Sequence, residues 1–538
     1  MTRTFFTHAN QVLEFVFKSG KEISDPFNQI ELDVIFSSSK GEMKVPAFWS
    51  GGDEWRVRFS SSDPGNYSYR SVCSDSSAEG LHNQLGIVEV KPTDSKNPLY
   101  LHGGIRVQAD RGGFEHKDGT PFFWLADTWW MAFCGRIRWP EEINQLLTDR
   151  VKKGFTVAHL VSGLFPDMPP FDPRGANEAG WAWEENFTRI NPAFYDLADL
   201  KLQAVVSHGI VPLIVGAWGY YLPFMGIEKM KKHWRYLVAR WGAYPVSWCL
   251  AGEVTMPWYL SNTKDSDFQF QKTGWSEVGW YLKTIDPFNR TITAHSASTG
   301  ESPTELDDPS YLDYNFIQTG HGNQSASLGS ARHFMRVEQT TTLKPIVTSE
   351  SNYEGILGAA WQDVIRYIFW STMLAGGVGF SYGANGIWQL NEREIPYGPS
   401  PHGMSWGNIP WQEAMNLPGS TQVGLGKKLL TRYRWWKFQT HPEWITPHAT
   451  LDDPYQPYSA GIPGEVRIIY SPYPLAPWLP EMPKINGLEK EVNYQAFFFD
   501  PATGTEQQIG KVNPDETGNW TIPMPSLGQD IILVLEAV

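Results

Sequence analysis

From about residue 105 to residue 385, short apolar runs alternate with amphipathic stretches of helical period, and nothing else in the chain constrains its fold as much. The runs are 122–126 (FFWLA), 156–161 (TVAHLV), 211–216 (VPLIVG), 247–251 (SWCLA), 291–294 (TITA), 315–319 (NFIQT), 345–349 (PIVTS) and 378–382 (VGFSY). Helical spacing is clear between them over 141–153, 193–208, 227–241, 268–285 and 361–375. That order predicts βαβ units and a parallel sheet. Eight strands, each followed by a helix or an insertion, is the number that closes a (β/α)8 barrel. A doubly wound open sheet is the alternative, but it calls for a Gly-rich nucleotide turn after the first strand. Asp127-Thr128-Trp129-Trp130 stands there instead.

The flanks follow a different pattern. Segments 11–18 (QVLEFVFK), 29–36 (QIELDVIF), 54–59 (EWRVRF) and 67–72 (YSYRSV) alternate in period two, and Asp63-Pro64-Gly65-Asn66 reads as a turn. After about residue 440 the β pattern returns over 465–470, 494–499, 519–522 and 530–535. Turn signals stand at Asp500–Gly504 and Asp515–Gly518, and the Pro-rich stretch 471–486 reads as an ordered extended connection. With 538 residues the chain exceeds a single ordinary core. The expected fold is α/β: a (β/α)8 TIM barrel over 101–440, flanked by antiparallel β-sandwiches over 1–100 and 441–538.

Composition narrows the partners. There are 25 Trp, 22 Tyr and 29 Phe, an aromatic load that suits stacking on the C–H faces of sugars and equally suits large cores. A net charge of −14 argues against a nucleic-acid partner and mildly against a polyanionic substrate. Three scattered cysteines, Cys73, Cys134 and Cys249, do not make a disulfide framework or a zinc cage. No HExxH or EF-hand loop occurs, so no metal or cofactor is expected. No run of about 18 apolar residues occurs, so no membrane span is expected. The first residues lack a basic segment followed by an apolar run, which makes a cytoplasmic location the expectation, a leader removed by processing being the alternative. Assembly into a homo-oligomer is left open.

Chemistry in a parallel barrel gathers at the C-terminal ends of the strands. Glu253 follows the fourth run and Glu350 the seventh. A glycosidic bond needs one carboxyl held neutral to protonate the leaving oxygen and one ionised beside the anomeric carbon. Strands four and seven of a barrel can bring such a pair to about 5 Å, the spacing of a retaining mechanism. Each Glu could instead be a solvated loop residue. Around them, Asp127 is a candidate for a sugar hydroxyl or for a helix cap; Trp129, Trp218 and Trp388 are stacking platforms or packing. His159 is a ligand contact or a satisfied histidine within the barrel, and His295, Gln318 and His321 stand at the ends of runs five and six. Tyr382 is placed to bond a hydroxyl or to hold Glu350. Cys134 has no partner His and acid, so it reads as a packed thiol.

The order of domains and several motifs resemble the apiosidase-like glycoside hydrolases. A fibronectin-like leading domain is matched by EWRVRF and PGNYSYRS, and the barrel by GTPFFWLADTWW, SWCLAGE, QTGH at 318–321 and SYGANGIWQ at 381–389. A trailing domain of a kind once described as collagen-binding is matched by KINGL, FFFDPATG, TGNWTIP and DIILVLE. The resemblance implies a retaining glycosidase with Glu253 as acid/base and Glu350 as nucleophile, and the expected cytoplasmic location points to a small glycoside or oligosaccharide as substrate rather than a polymer. It also implies a departure. Relatives in that wider clan carry Asn before the acid/base to read the hydroxyl next to the anomeric carbon, and here Gly252 stands there. His295, Gln318 or His321 are the candidates to replace it. Long aromatic insertions at 165–190 and 383–418 point to a walled cleft and exo action. A non-catalytic carbohydrate-binding or scaffolding protein with a decayed barrel is the competing class.

Overall fold

The computed structural model describes residues 3–110, 112–340, 344–475, 482–526 and 528–538. Eight parallel strands form one sheet: β1 Trp124–Thr128, β2 Val157–Val161, β3 Val211–Val215, β4 Ser247–Cys249, β5 Ile292–Thr293, β6 Asn315–Gln318, β7 Ile346–Glu350 and β8 Gly379–Tyr382. Their spatial order is β5-β4-β3-β2-β1-β8-β7-β6. Strands such as VPLIV are buried at every residue, as a parallel sheet covered on both faces requires. Around them lie α1 Glu141–Lys152, α2 Pro192–Ser207, α3 Ile227–Trp241, α4 Lys264–Ile285, α5 Gln324–Thr340, α6 Gln362–Leu374 and α7 Pro418–Leu430.

The barrel expected from the alternation is present, with one difference. The ladder is interrupted between β5 and β6, because β5 is two residues long and no α-helix links the two strands. Other bonds bridge that seam. Asp313 N donates to Ile292 O at 2.8 Å, and Thr293 Oγ1 to Tyr314 O at 2.9 Å. The Ser302 hydroxyl donates to Phe316 O at 3.0 Å and accepts from Phe316 N at 2.8 Å, standing in for a missing strand residue.

Side chains fill the barrel interior. Trp124, His159, Tyr314 and Phe316 pack with ring centroids 5.3–6.4 Å apart. Below them Phe114, from the small sheet of Ile105–Val107, Phe114–His116 and Pro121–Phe122, closes the N-terminal end against Trp124 at 5.0 Å. Pro121 and Phe122 therefore belong to that sheet rather than to β1; the apolar run crosses both elements without a break in its pattern. This packed floor leaves the C-terminal mouth as the place for a cavity.

The leading region forms a five-stranded and a three-stranded sheet. It is not antiparallel throughout, because the edge strand Arg3–His8 runs parallel to Leu85–Lys91. The rest of the sandwich lies between those strands in sequence and serves as the long crossover that parallel pairing needs. The trailing region forms a six-stranded sheet, from Gln439–Thr440 to Glu506–Lys511, and a three-stranded one, and residues of both sheets share one apolar core. The 471–486 connection lies partly outside the described residues, at 476–481. Both regions are bolted to the barrel by buried charge. Asp199 on α2 takes Arg58 Nη2 of the leading sheet at 2.5 Å and Arg240 Nη2 of α3 at 2.9 Å. Arg366 on α6 reaches Asp530 at 2.7 Å. The three cysteines are buried free thiols. Among the described residues no helix is long and apolar enough to cross a membrane.

Candidate active site

Glu350 is the last residue of β7, and Glu253 stands just past β4. Both open into one pocket at the C-terminal mouth, about 560 Å³ including its open entrance, a size suited to a small ligand. Every strand end contributes to it: Trp130, Asp167, Trp218, Glu253, Ser298, Gln318, Glu350 and Trp388 end or follow β1 to β8 in turn.

Two histidines hold Glu350. His321 Nε2 donates to Oε1 at 2.7 Å, and His295 Nε2 lies 3.2 Å from Oε2. His295 Nδ1 contacts Ser296 O at 2.9 Å. A carbonyl can only accept, so Nδ1 carries a hydrogen, and a carboxylate facing Nε2 asks for a second one. His295 is thus raised above its ordinary range, the nearby carboxylates overcoming the burial that opposes charge. Burial opposes ionisation of Glu350 as well, yet the bonds and charges of His295 and His321 hold it well below the usual carboxylate range. Glu253 sits in the opposite condition. Burial, then the charge of Glu350, push it up to about 8. Trp218 Nε1 donates to its Oε2 at 3.2 Å and Gln318 Nε2 to its Oε1 at 3.3 Å. Its backbone φ of +41° is a strained conformation for a residue with a side chain, of the kind held in place at functional sites. One cavity thus keeps one carboxyl neutral and one ionised near pH 7, as general-acid and nucleophile chemistry demands.

The glycine before Glu253 has a steric cause. A Cβ on Gly252 would lie 2.3 Å from the Trp218 ring, and one on Gly219 would lie 2.3 Å from Glu253 O. The ends of β3 and β4 approach so closely that neither position accepts a side chain. Gly252→Ala should therefore push the Trp218 ring off Glu253. We expect kcat/KM to fall by about tenfold or more and stability by about 1–3 kcal/mol, measured by kinetics and chemical unfolding. Wild-type values for both would show that the ring yields freely.

Of the residues expected at the site, Glu253, Glu350, Trp218, Gln318, His321 and Trp388 line the cavity. His295 lies behind it, against Glu350. Asp127, Trp129, His159 and Tyr382 are not brought to it. Alternate residues of a strand face opposite ways. With Trp124 inside the barrel, Asp127 points out to the helices, where Oδ2 accepts from Arg150 Nε at 2.5 Å and from Trp129 Nε1 at 2.7 Å. It is fully buried, and its carboxylate is taken up by Arg150, Trp129 and the backbone N–H of Thr128. Trp129 is spent on that bond. Tyr382 also points outward and donates to Glu354 Oε2 at 2.6 Å, not to Glu350. His159 does face inward, but one layer too low, stacked on Phe316 and beneath Trp130, with its pKa lowered to about 3 by burial and the charge of His295.

Sequence reasoning missed Trp130, Asp167, Tyr259, Tyr353 and Trp406 in the cavity wall. Trp130 was one residue from the expected Trp129, a matter of direction and not of composition. Asp167 gathers three insertions: Tyr259 OH donates to its Oδ1 at 2.6 Å and Trp406 Nε1 to its Oδ2 at 3.0 Å. Arg174 donates from the β2 insertion to Tyr397 O and Pro399 O of the β8 insertion, both at 3.2 Å. Tyr397 OH donates back to Pro166 O at 3.1 Å. The two long insertions are thus one bonded wall. Their length was legible in the sequence, their partnership was not.

Among the buried polar atoms of the lining, Gln318 Oε1, His321 Nδ1 and Trp388 Nε1 have no hydrogen-bond partner in the protein. Buried polar groups are normally bonded. The set mixes acceptors and donors, and hydroxyls satisfy both kinds, as sugar hydroxyls would.

Comparison with known proteins agrees with this geometry. The family model described as "Apiosidase-like, catalytic domain" matches residues 108–437, and a domain of unknown function (DUF5060) matches residues 7–74. A solved glycoside hydrolase is 19% identical, with TM-score 0.67 over 82% of this chain and 98% of that one. A glycoside hydrolase family 5 protein from Bacteroides vulgatus is 20% identical, with TM-score 0.67 over 82% of this chain and 95% of that one. Another Bacteroides vulgatus structure is 17% identical and has TM-score 0.67 over 99% of this chain and 100% of that one. At these identities the likeness is one of fold. No curated protein matches the chain.

Proposed function

The chain belongs to the apiosidase-like family and is a glycosidase, and from that premise we propose that it is a retaining, exo-acting enzyme that releases a terminal sugar by double displacement. The observation that carries this reading is the pair of buried carboxyls in one cavity, Glu253 pushed up to about 8 and Glu350 held well below the usual carboxylate range. Glu350 attacks the anomeric carbon while Glu253 protonates the departing oxygen. A glycosyl–enzyme ester results, and Glu253, now ionised, takes a proton from the water that hydrolyses it. His295 and His321 keep Glu350 ionised in the free enzyme and aim its oxygens. Exo action is supported by the bonded wall of the β2 and β8 insertions, which closes one side of the cavity. The family's name points to a branched pentofuranose such as apiose as the glycone. A decayed, binding-only barrel would be expected to lose one of the two carboxyls, and both are present.

A panel of aryl pentofuranosides, pentopyranosides and hexosides, followed by NMR from the first turnover, tests this. The first-formed sugar should have the anomeric configuration of the substrate. An inverted first product would end the double-displacement reading.

A further inference from the structure

We propose that Gln318 is the specificity-determining residue that reads the glycone hydroxyl next to the anomeric carbon, replacing an amide that the residue before Glu253 cannot carry. This rests on the glycosidase reading above and names one contact within it. The slot at Gly252 is taken by the Trp218 ring, so no side chain can reach the substrate from there. Three residues are candidates to take over. His295 spends Nδ1 on Ser296 O, turns Nε2 to Glu350 and lies outside the cavity lining. His321 spends Nε2 on Glu350, and the geometry of imidazole then turns its free Nδ1 away from that carboxylate. Gln318 alone spans the reacting pair. Its backbone pairs with Glu350, at a point where the β6–β7 register shifts between Ile317 and Gln318, and its amide Nε2 reaches Glu253 Oε1 at 3.3 Å. Such an irregularity re-aims a side chain. The anomeric carbon must lie between the two carboxyls, and the hydroxyl in question is on the neighbouring carbon. Gln318 Oε1 is left in that region without a protein partner, on a side chain that is 2% exposed. It accepts from the hydroxyl while Nε2 donates to the acid, so one amide ties sugar orientation to the group that protonates the leaving oxygen.

The test is binding by calorimetry and needs no turnover. Two iminosugar series, pyrrolidines and piperidines, are each used with and without the hydroxyl adjacent to the carbon that mimics the anomeric centre. In the wild type, removing that hydroxyl should weaken binding by about tenfold or more, since it leaves a buried acceptor unpaired. In Gln318→Leu the two compounds of the binding series should agree within about twofold. Gln318→Met, with its flexible side chain, serves as a second variant should the branched one melt early. An equal loss in variant and wild type would overturn the assignment and leave the glycosidase reading standing. Failure of every iminosugar to bind the wild type would overturn both together.

Discussion

Glu350→Ala should lower turnover of an activated aryl glycoside by about 10⁴-fold to 10⁶-fold while leaving the fold intact, the range seen when a covalent nucleophile is removed. The loss is large because the water that might replace the carboxylate is a weak nucleophile and is not held at the anomeric carbon. The fold should survive because the partners of Glu350 can adjust: burial already opposes the charge on His295, and without Glu350 the strongest influences that raise its pKa are gone. Removing the side chain also opens space for a small external anion. Azide or formate at high concentration should recover part of the rate. Kinetics, circular dichroism and melting curves check this together. Turnover near the wild-type level in a folded variant would remove Glu350 from the mechanism, whatever its electrostatics.

Glu253→Gln should divide substrates by their leaving groups. For poor leaving groups that need a proton, we expect kcat/KM to fall by about 10²-fold to 10⁴-fold; for strongly activated aryl glycosides the first step should be nearly unaffected. The pH profile carries the same information. Wild-type kcat/KM should decline as pH rises through about 8, because the proposed acid is the neutral form of Glu253 and that form is lost there. On the acid side, activity should persist below the ordinary carboxylate range, because Glu350 stays ionised. The alkaline decline should vanish in Glu253→Gln. Stability moves with it. A carboxyl whose pKa rises on folding from 4.5 to about 8 binds more protons in the folded state, so its contribution is present below the lower value and lost as pH rises through that window. The amide cannot ionise, so chemical unfolding at pH 5 and pH 8 should show a smaller drop in the variant. An unchanged alkaline limb would mean another group is the acid.

The barrel was legible because burial imposes a pattern on the chain itself. Runs such as VPLIV and the helical periods between them mark strands covered on both faces, whatever lies elsewhere in the molecule. The two carboxyls were legible for a related reason, since strand ends converge on one mouth and a residue's place along a strand can be counted. Counting along a strand does not give the direction of a side chain. Asp127 and Tyr382 stood at correct strand ends on the wrong face of the pleat, and Trp130 lined the cavity where Trp129 had been expected. His159 had the right direction at the wrong depth.

What the sequence by itself determined was the layout: a barrel between β-rich flanks, with an acid after the fourth strand and another after the seventh. Only the tertiary structure decided how those acids differ and what surrounds them. The split between Glu253 and Glu350 depends on which histidines face which carboxyl. The wall depends on Asp167 meeting Tyr259 and Trp406, and the empty position at 252 on a ring 34 residues earlier in the chain. Burial patterns are local and repeat along the chain, so they can be read from it. Contacts between the tips of separate loops have no period, and only folding brings them together.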